Sequence, residues 1–312
     1  MDALRRAGIF LAAFSLAAPC HAGMKTDLAN CTGGLGGKGA KACTRILKSG
    51  RLPKKQFYIA YYNRGWAYRN AGDYKRALRD FNRVLELNRR FADGHYSRAV
   101  VHQDLGQRNE TIKDLDRYVE LKKKKWSAHY GRALMLRRLK QYDRALADLR
   151  AAEKLKPTEQ KIIVMRALVL SDQGDHAAAT STIAPVIAAK PNNADALHAR
   201  AVILFRRERL DEAEADVKKA LKIRKSFDAA HLLKGRILER KGKTQQAREH
   251  YERAIASSAK SVEQLYAQNT ARARLKSLEE RKETPVLTSG ISFDCRRFIP
   301  AANMTITIDC KE

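Results

Sequence analysis

From Tyr58 to Ser261 small side chains return in step every 34 residues, twice per period. No other feature of the chain restricts its fold as much. With slot one at Tyr58, slot eight is filled in turn by Gly65, Ala99, Ala133, Ala167, Ala201 and Gly235. Slot twenty holds Ala77, Thr111, Ala145, Ala179, Ala213 and Ala247. Six units run without insertion, and midway through them stand Gly72, Gly106, Lys140, Gly174, Glu208 and Gly242. Within each half-unit apolar residues recur at helical spacing, as in Ala77, Phe81, Val84 and Leu85. Each half-unit therefore predicts a helix, and the small side chains at slots eight and twenty let the two helices of a unit approach closely. A single hairpin of this kind cannot bury its apolar face, so stacking must supply the core.

A charge pattern follows the same period. Slot seven carries Arg64, Arg98, Arg132, Arg166, Arg200 and then Lys234. Slot twenty-three carries Asp80, Asp114, Asp148, Thr182, Asp216 and His250. In a hairpin turning near slot fifteen these two slots face each other, which predicts Arg–Asp pairs in repeats one, two, three and five. Desolvation opposes the attraction in such a pair, so its expected role is to hold register more than to add stability. His95, His129 and His231 share slot four and read as packing positions.

The pattern resembles the tetratricopeptide repeat, and the likeness covers about two-thirds of the chain. It implies an all-α, right-handed α-solenoid of antiparallel helix pairs whose concave face is lined by the first helix of each unit. The family's groove slots hold Tyr62 and Trp66, Tyr96 and Val100, and Tyr130 and Leu134, with Arg69, Arg137 and Arg138 further along. Repeats one to three are thus expected to show a partner an aromatic ladder edged by arginines, the residue types that dominate binding hot spots. One subclass grips a carboxyl terminus with Lys and Asn. Here those slots read Tyr62, Trp66, Ser97, Ser127 and Gly131, and the clamp is absent.

The ends depart from the repeat. Residues 1–22 run from Arg5 and Arg6 through an apolar stretch, Ala7–Ala18, to Ala22, the order of a secretory signal peptide. Four cysteines follow: Cys31, Cys43, Cys295 and Cys310. An even count in an exported chain suggests disulfides, and proximity favours Cys31–Cys43 and Cys295–Cys310 among three possible pairings, with free buried thiols as the alternative. One period upstream of the repeats, Cys31 falls in slot eight and Cys43 in slot twenty. Residues 23–57 therefore read as a degenerate first hairpin stapled by a disulfide, similar to the start of exported bacterial proteins of this family. Residues 58–261 are the six units and 262–283 a capping helix. Residues 284–312 alternate with period two and predict a small β-hairpin, its register placing Cys295 opposite Cys310 and Ile299 opposite Ile306.

Composition bounds the function. The chain carries 62 Lys and Arg against 34 Asp and Glu, a net charge of +28, with 44% hydrophobic residues and a mean hydropathy of −0.51. A multi-span membrane protein and a disordered polycation are both excluded. The charge suits acidic proteins or anionic envelope components, with nucleic acid a weaker candidate. No phosphate-cradling motif, metal-ligand spacing or nucleophile–base grouping stands out, and neither enzyme activity nor a cofactor is expected. Repeat four is unusual: His176 to Ala189 contains no charged residue, and Pro185 is expected to kink its second helix. The leading expectation is a periplasmic or secreted interaction scaffold. The alternative is a basic surface binder of anionic envelope components or nucleic acid.

Overall fold

Each of the six units is a pair of α-helices, and all twelve follow from the same spacing. In the computed structural model, which describes residues 22–33, 37–50, 52–256, 261–283, 295–299 and 304–308, α3 (Phe57–Asn70) and α4 (Tyr74–Leu87) form repeat one, and α5 (Ala92–Asp104) and α6 (Arg108–Leu121) repeat two. Repeats three and four are α7 (Trp126–Arg138) with α8 (Tyr142–Leu155) and α9 (Gln160–Gln173) with α10 (His176–Ala189). Repeats five and six are α11 (Ala194–Arg206) with α12 (Leu210–Ile223) and α13 (Asp228–Arg240) with α14 (Thr244–Ile255). Before them lie α1 (Ala22–Gly33) and α2 (Gly37–Lys48), and after them α15 (Val262–Glu283). The chain is an all-helical solenoid. All six turn residues adopt positive φ, from 57° at Glu208 to 101° at Gly174. Lys140 and Glu208 do so without being glycine, at a cost of about 1–2 kcal/mol each.

How near the two helices of a unit approach is set by slots eight and twenty-four together. Gly65 faces Phe81, and Gly235 faces Tyr251; a Cβ on either glycine would stand 2.9 Å and 2.4 Å from the facing ring. In the four middle repeats alanine stands at slot eight and an aliphatic at slot twenty-four: Ala99 with Leu115, Ala133 with Leu149, Ala167 with Ile183, Ala201 with Val217. All of these alanines and their aliphatic partners are fully buried. Volume is thus exchanged across the contact, with glycine only where the opposite residue is aromatic.

The four expected Arg–Asp pairs are present, and each is a two-pronged fork. Arg64 reaches Asp80 at 2.7 and 2.8 Å, Arg98 reaches Asp114 at 2.7 Å twice, and Arg132 and Arg200 reach Asp148 and Asp216 at 2.6 and 2.7 Å. The slot-four histidines, read as packing residues, join these networks. Nδ1 of His95 and of His129 lies 3.1 and 3.0 Å from Asp114 and Asp148, while Nε2 faces the carbonyl of Arg89 or Lys123. Burial raises the Asp114 carboxyl, but hydrogen bonds from Arg98 and His95 outweigh it and hold it below the usual range. Repeats four and six lack the aspartate, and their cations turn to the preceding repeat: Arg166 to Glu153 and Lys234 to Glu214, both at 2.6 Å.

In repeat six His250 replaces the aspartate. His231 Nε2 donates to the Lys225 carbonyl at 2.9 Å, leaving its Nδ1 to accept from His250 Nδ1 at 3.1 Å. Burial, then His231, Lys234 and Arg253, push His250 down to about 4, and burial also lowers His231. The pair is held neutral.

At the N-terminal end Cys31 and Cys43 lie at disulfide distance, with Cα atoms 4.7 Å apart. They pack with Ala42, Ile46, Leu52 and Ala60, which joins α1 and α2 to the first repeat. Arg45 pairs with Asp27 across the two helices. α10 runs through Pro185 as one continuous helix. The β-hairpin expected at the C terminus is left unsupported as part of this solenoid. Two segments, β1 (Cys295–Ile299) and β2 (Met304–Ile308), pair antiparallel, but Cys295 stands opposite Ile308 and Ile299 opposite Met304. That register is two residues away from the one a Cys295–Cys310 bridge would set. Cys310 itself, like residues 1–21 of the expected signal segment, lies outside the described residues.

Two measurements test these contacts. Gly235→Ala should destabilise the protein by about 1–3 kcal/mol through overpacking, and adding Tyr251→Leu, as in the alanine repeats, should recover part of that loss in denaturant unfolding. For the histidine pair, folded values below the ordinary 6.5 mean that its contribution is complete above that pH and is lost as pH falls toward about 4. The loss should be on the order of 1 kcal/mol, discounted for partial exposure. His250→Asp, which rebuilds the arrangement of repeats two and three, should shrink the difference in thermal midpoint between neutral and mildly acidic buffer.

Candidate functional site

The first helices α3, α5 and α7 present slots five, nine, twelve and thirteen to the inner wall of the stack. Several of the residues expected to line an open groove are sealed into that wall. Tyr62, Val100, Leu134 and Arg69 are 6%, 1%, 5% and 5% exposed. Tyr62 packs edge-on against Trp66, Phe81 and Phe91, with ring centroids 5.2–6.5 Å apart, and burial pushes its hydroxyl up to about 12. The Arg69 guanidinium binds Asp104 at 2.6 Å and lies over the Trp66 ring at 5.4 Å. Arg137 is bound by Asp172, which also takes Arg206. Arg69 and Arg137 occupy slot twelve, and each grips the slot-thirteen aspartate of the next repeat. They tie neighbouring units together and do not edge a groove.

What stays partly exposed on the wall is Trp66, Tyr96, Tyr130, Arg137 and Arg138. Burial pushes the hydroxyls of Tyr96 and Tyr130 well above the usual tyrosine range, with Glu263 adding to the shift. Glu263 belongs to α15, which the sequence assigns only to capping. That helix has two contacts. Its later turns cover repeat six, where Ala271 and Leu278 pack with Leu238, Ala247 and Tyr251, and Gln268 Nε2 donates to Asp228 at 3.0 Å. Its first turn reaches across the inner wall to repeats two and three. Val262 is 7% exposed and packs with Ala99, Val100, Leu115 and Met135, beside Trp66 and Tyr96. Arg138 Nη2 donates to the Val262 carbonyl at 3.3 Å, and its guanidinium lies 4.7 Å over the Tyr266 ring. The groove expected to be open is therefore occupied at its middle by the protein's own chain. A contact between residues 124 apart has no periodic signal that could have announced it.

Among the described residues Arg138 forms no ion pair, and neither does Arg236, which lies over the Phe205 ring at 4.7 Å. Burial pushes both guanidiniums below their ordinary value; Glu263 partly offsets this at Arg138, while for Arg236 the cations Arg274 and Arg206 add to the effect. The wall thus carries two half-buried positive charges that, among the described residues, no carboxylate meets in a close ion pair. On the outer side a cleft of about 810 Å³ is lined by Arg89, Lys113, Arg98 and Asp114 among others. There Arg98 and Asp114 already satisfy each other. Among the described residues no group of three or more His, Cys, Asp or Glu could hold a metal, and no helix is long and apolar enough to cross a membrane.

No curated protein matches the chain. Among solved structures, a tetratricopeptide repeat protein from Parabacteroides merdae is 16% identical to it, with a TM-score of 0.61 over 80% of this chain and 99% of its own. Yeast Tom70 is 14% identical, with a TM-score of 0.56 over 90% of this chain and 70% of its own. At these identities the likeness is one of fold. Family models described as the tetratricopeptide repeat match residues 58–91, 101–159 and 192–265, together more than half of the chain. With the period, the nested helix pairs and these matches in agreement, the chain belongs to the tetratricopeptide-repeat family, whose members serve as protein-interaction scaffolds.

Proposed function

We propose that this protein is a non-enzymatic scaffold that holds a partner polypeptide against the concave wall of repeats one to three. One observation carries the reading: the wall already holds a polypeptide. The first turn of α15 seats an aliphatic side chain between Val100 and Met135 and lays an aromatic ring under Arg138. A surface that accepts a helical turn of its own chain has the shape and the mixed apolar and cationic chemistry to accept another. The partly exposed Trp66, Tyr96 and Tyr130 are the anchors, and Arg138 is the polar contact. Tyr62, Val100, Leu134, Arg69 and Arg137 shape the wall from behind.

The compartment is periplasmic or secreted. Basic and apolar residues at the N terminus support this, as does the Cys31–Cys43 pair, which persists in an oxidising environment. A second reading, binding to an anionic surface through charge, draws on the net charge of +28 and on exposed Lys123, Lys124 and Lys125 between repeats two and three.

Immobilised protein challenged with a native envelope extract separates the two. Trp66→Ala and Tyr130→Ala should each lower retention of a groove partner about tenfold, the scale of a single hot-spot aromatic, with modest sensitivity to salt. Retention that ignores both substitutions and collapses near ~0.5 M salt, where screening acts over only a few ångströms, would overturn the groove reading in favour of the charged surface.

A further inference from the structure

The grip on the first turn of α15 is incomplete in one respect. Every other arginine of the wall in repeats one to three has a carboxylate: Arg69 has Asp104, and Arg137 has Asp172. Arg138 has a neutral carbonyl at 3.3 Å and a ring face. Glu263 follows Val262 directly, yet it is exposed and forms no ion pair among the described residues. A half-buried guanidinium gains most from a carboxylate, because a charge-assisted bond is roughly twice as strong as one to a neutral acceptor. α15 offers Arg138 only the field of Glu263, with no close ion pair, and leaves most of that gain unrealised. Arg236, across the wall on α13, is unmatched in the same way and adds to the positive field.

The rest of α15 does not depend on this contact. Gln268, Ala271 and Leu278 hold the helix on repeat six independently of Val262 and Tyr266. The first turn is the start of a helix, where the Gln264 N–H donates to Ser261 Oγ at 3.0 Å. Helix ends of this kind open at low free energy compared with the core. The first turn can therefore leave the wall while repeat six stays covered.

From these placements we infer that residues 262–266 act as a placeholder on the wall, and that the partner they stand in for is a helical segment carrying a carboxylate beside an aliphatic residue. The aliphatic side chain takes the Val262 seat against Val100 and Met135, and the carboxylate takes Arg138. The inference rests on the scaffold reading above and names the chemistry of what that scaffold holds. Binding is a competition. The observed affinity for a partner is reduced by the fraction of molecules whose wall is occupied by α15, and any change that lifts α15 raises it.

The test uses the full chain and a pair of labelled alanine-rich helical peptides, one bearing Val-Glu-Glu-Leu and the other Val-Gln-Gln-Leu, with binding read by fluorescence anisotropy. Wild-type protein should prefer the acidic peptide. Val262→Asp, which expels the first turn, should tighten binding about tenfold. Tyr266→Ala removes an exposed ring with no core contact and should tighten it in the same direction by a smaller factor. Arg138→Gln should abolish the difference between the two peptides. Helix content and thermal unfolding of each variant establish that the solenoid is intact, and Tyr266→Ala decides the matter should Val262→Asp fail to fold. Folded Tyr266→Ala or Val262→Asp protein that binds no tighter than wild type sinks the placeholder, as does equal binding of the acidic and amide peptides. So does an absence of binding to either peptide by every variant. A peptide whose binding is lost on Trp66→Ala but is indifferent to Arg138 and Val262 overturns the placeholder and leaves the scaffold reading standing.

Discussion

The contact between slots eight and twenty-four governs this molecule, because it decides how near the two helices of a unit can lie. Where Phe81 and Tyr251 need room, Gly65 and Gly235 provide it, and where the opposite residue is aliphatic an alanine suffices. The same kind of contact recurs in every unit. Units built alike stack, a chain of hydrophobic clusters forms along the array, and equivalent slots fall in rows. The rows account for the inner wall, for the Arg–Asp forks within units and for the links from slot twelve to slot thirteen between them. Six small residues in the wrong place would leave the same composition without a solenoid.

Features that depend on neighbours within one hairpin were legible before the structure. The period located the twelve helices and the turns between them, and the structure adds that the turn slot takes positive φ even at Lys140 and Glu208. Complementary charge at slots seven and twenty-three anticipated the four forks. What escaped reading depends on relations between repeats or beyond them. His95 and His129 were visible as a recurring residue, but their bonds to Asp114 and Asp148 need the third dimension. Arg69 and Arg137 looked like groove edges because their partners, Asp104 and Asp172, sit 35 residues away on the next unit. A signal was there to be found, since Arg at slot twelve and Asp at slot thirteen of the following unit recur together.

The candidate site was legible in outline and misread in detail for the same reason. Family slots point to the wall of repeats one to three, and the wall is there, with Trp66, Tyr96 and Tyr130 along it. Slot position says which way a residue faces but not how deeply its neighbours cover it. Tyr62 and Val100 face inward and are sealed by Phe91 and by α15. A capping helix is legible as an amphipathic stretch after the last repeat. Where its first turn travels depends on the curvature accumulated over six units, a quantity that small errors in each unit would change.

The pair Cys31 and Cys43, at disulfide distance, gives the array a direction. Linear stacks lose structure from their termini inward, each departing unit exposing the face of the next. With the hairpin at one terminus tightened by that pair, dissolution is expected to begin more readily at the other end, with α15. The helix that guards the far end is also the one resting on the inner wall. Fraying and opening for a guest are then the same early motion seen from two sides, and a guest that fills the wall leaves the far terminus with one fewer restraint.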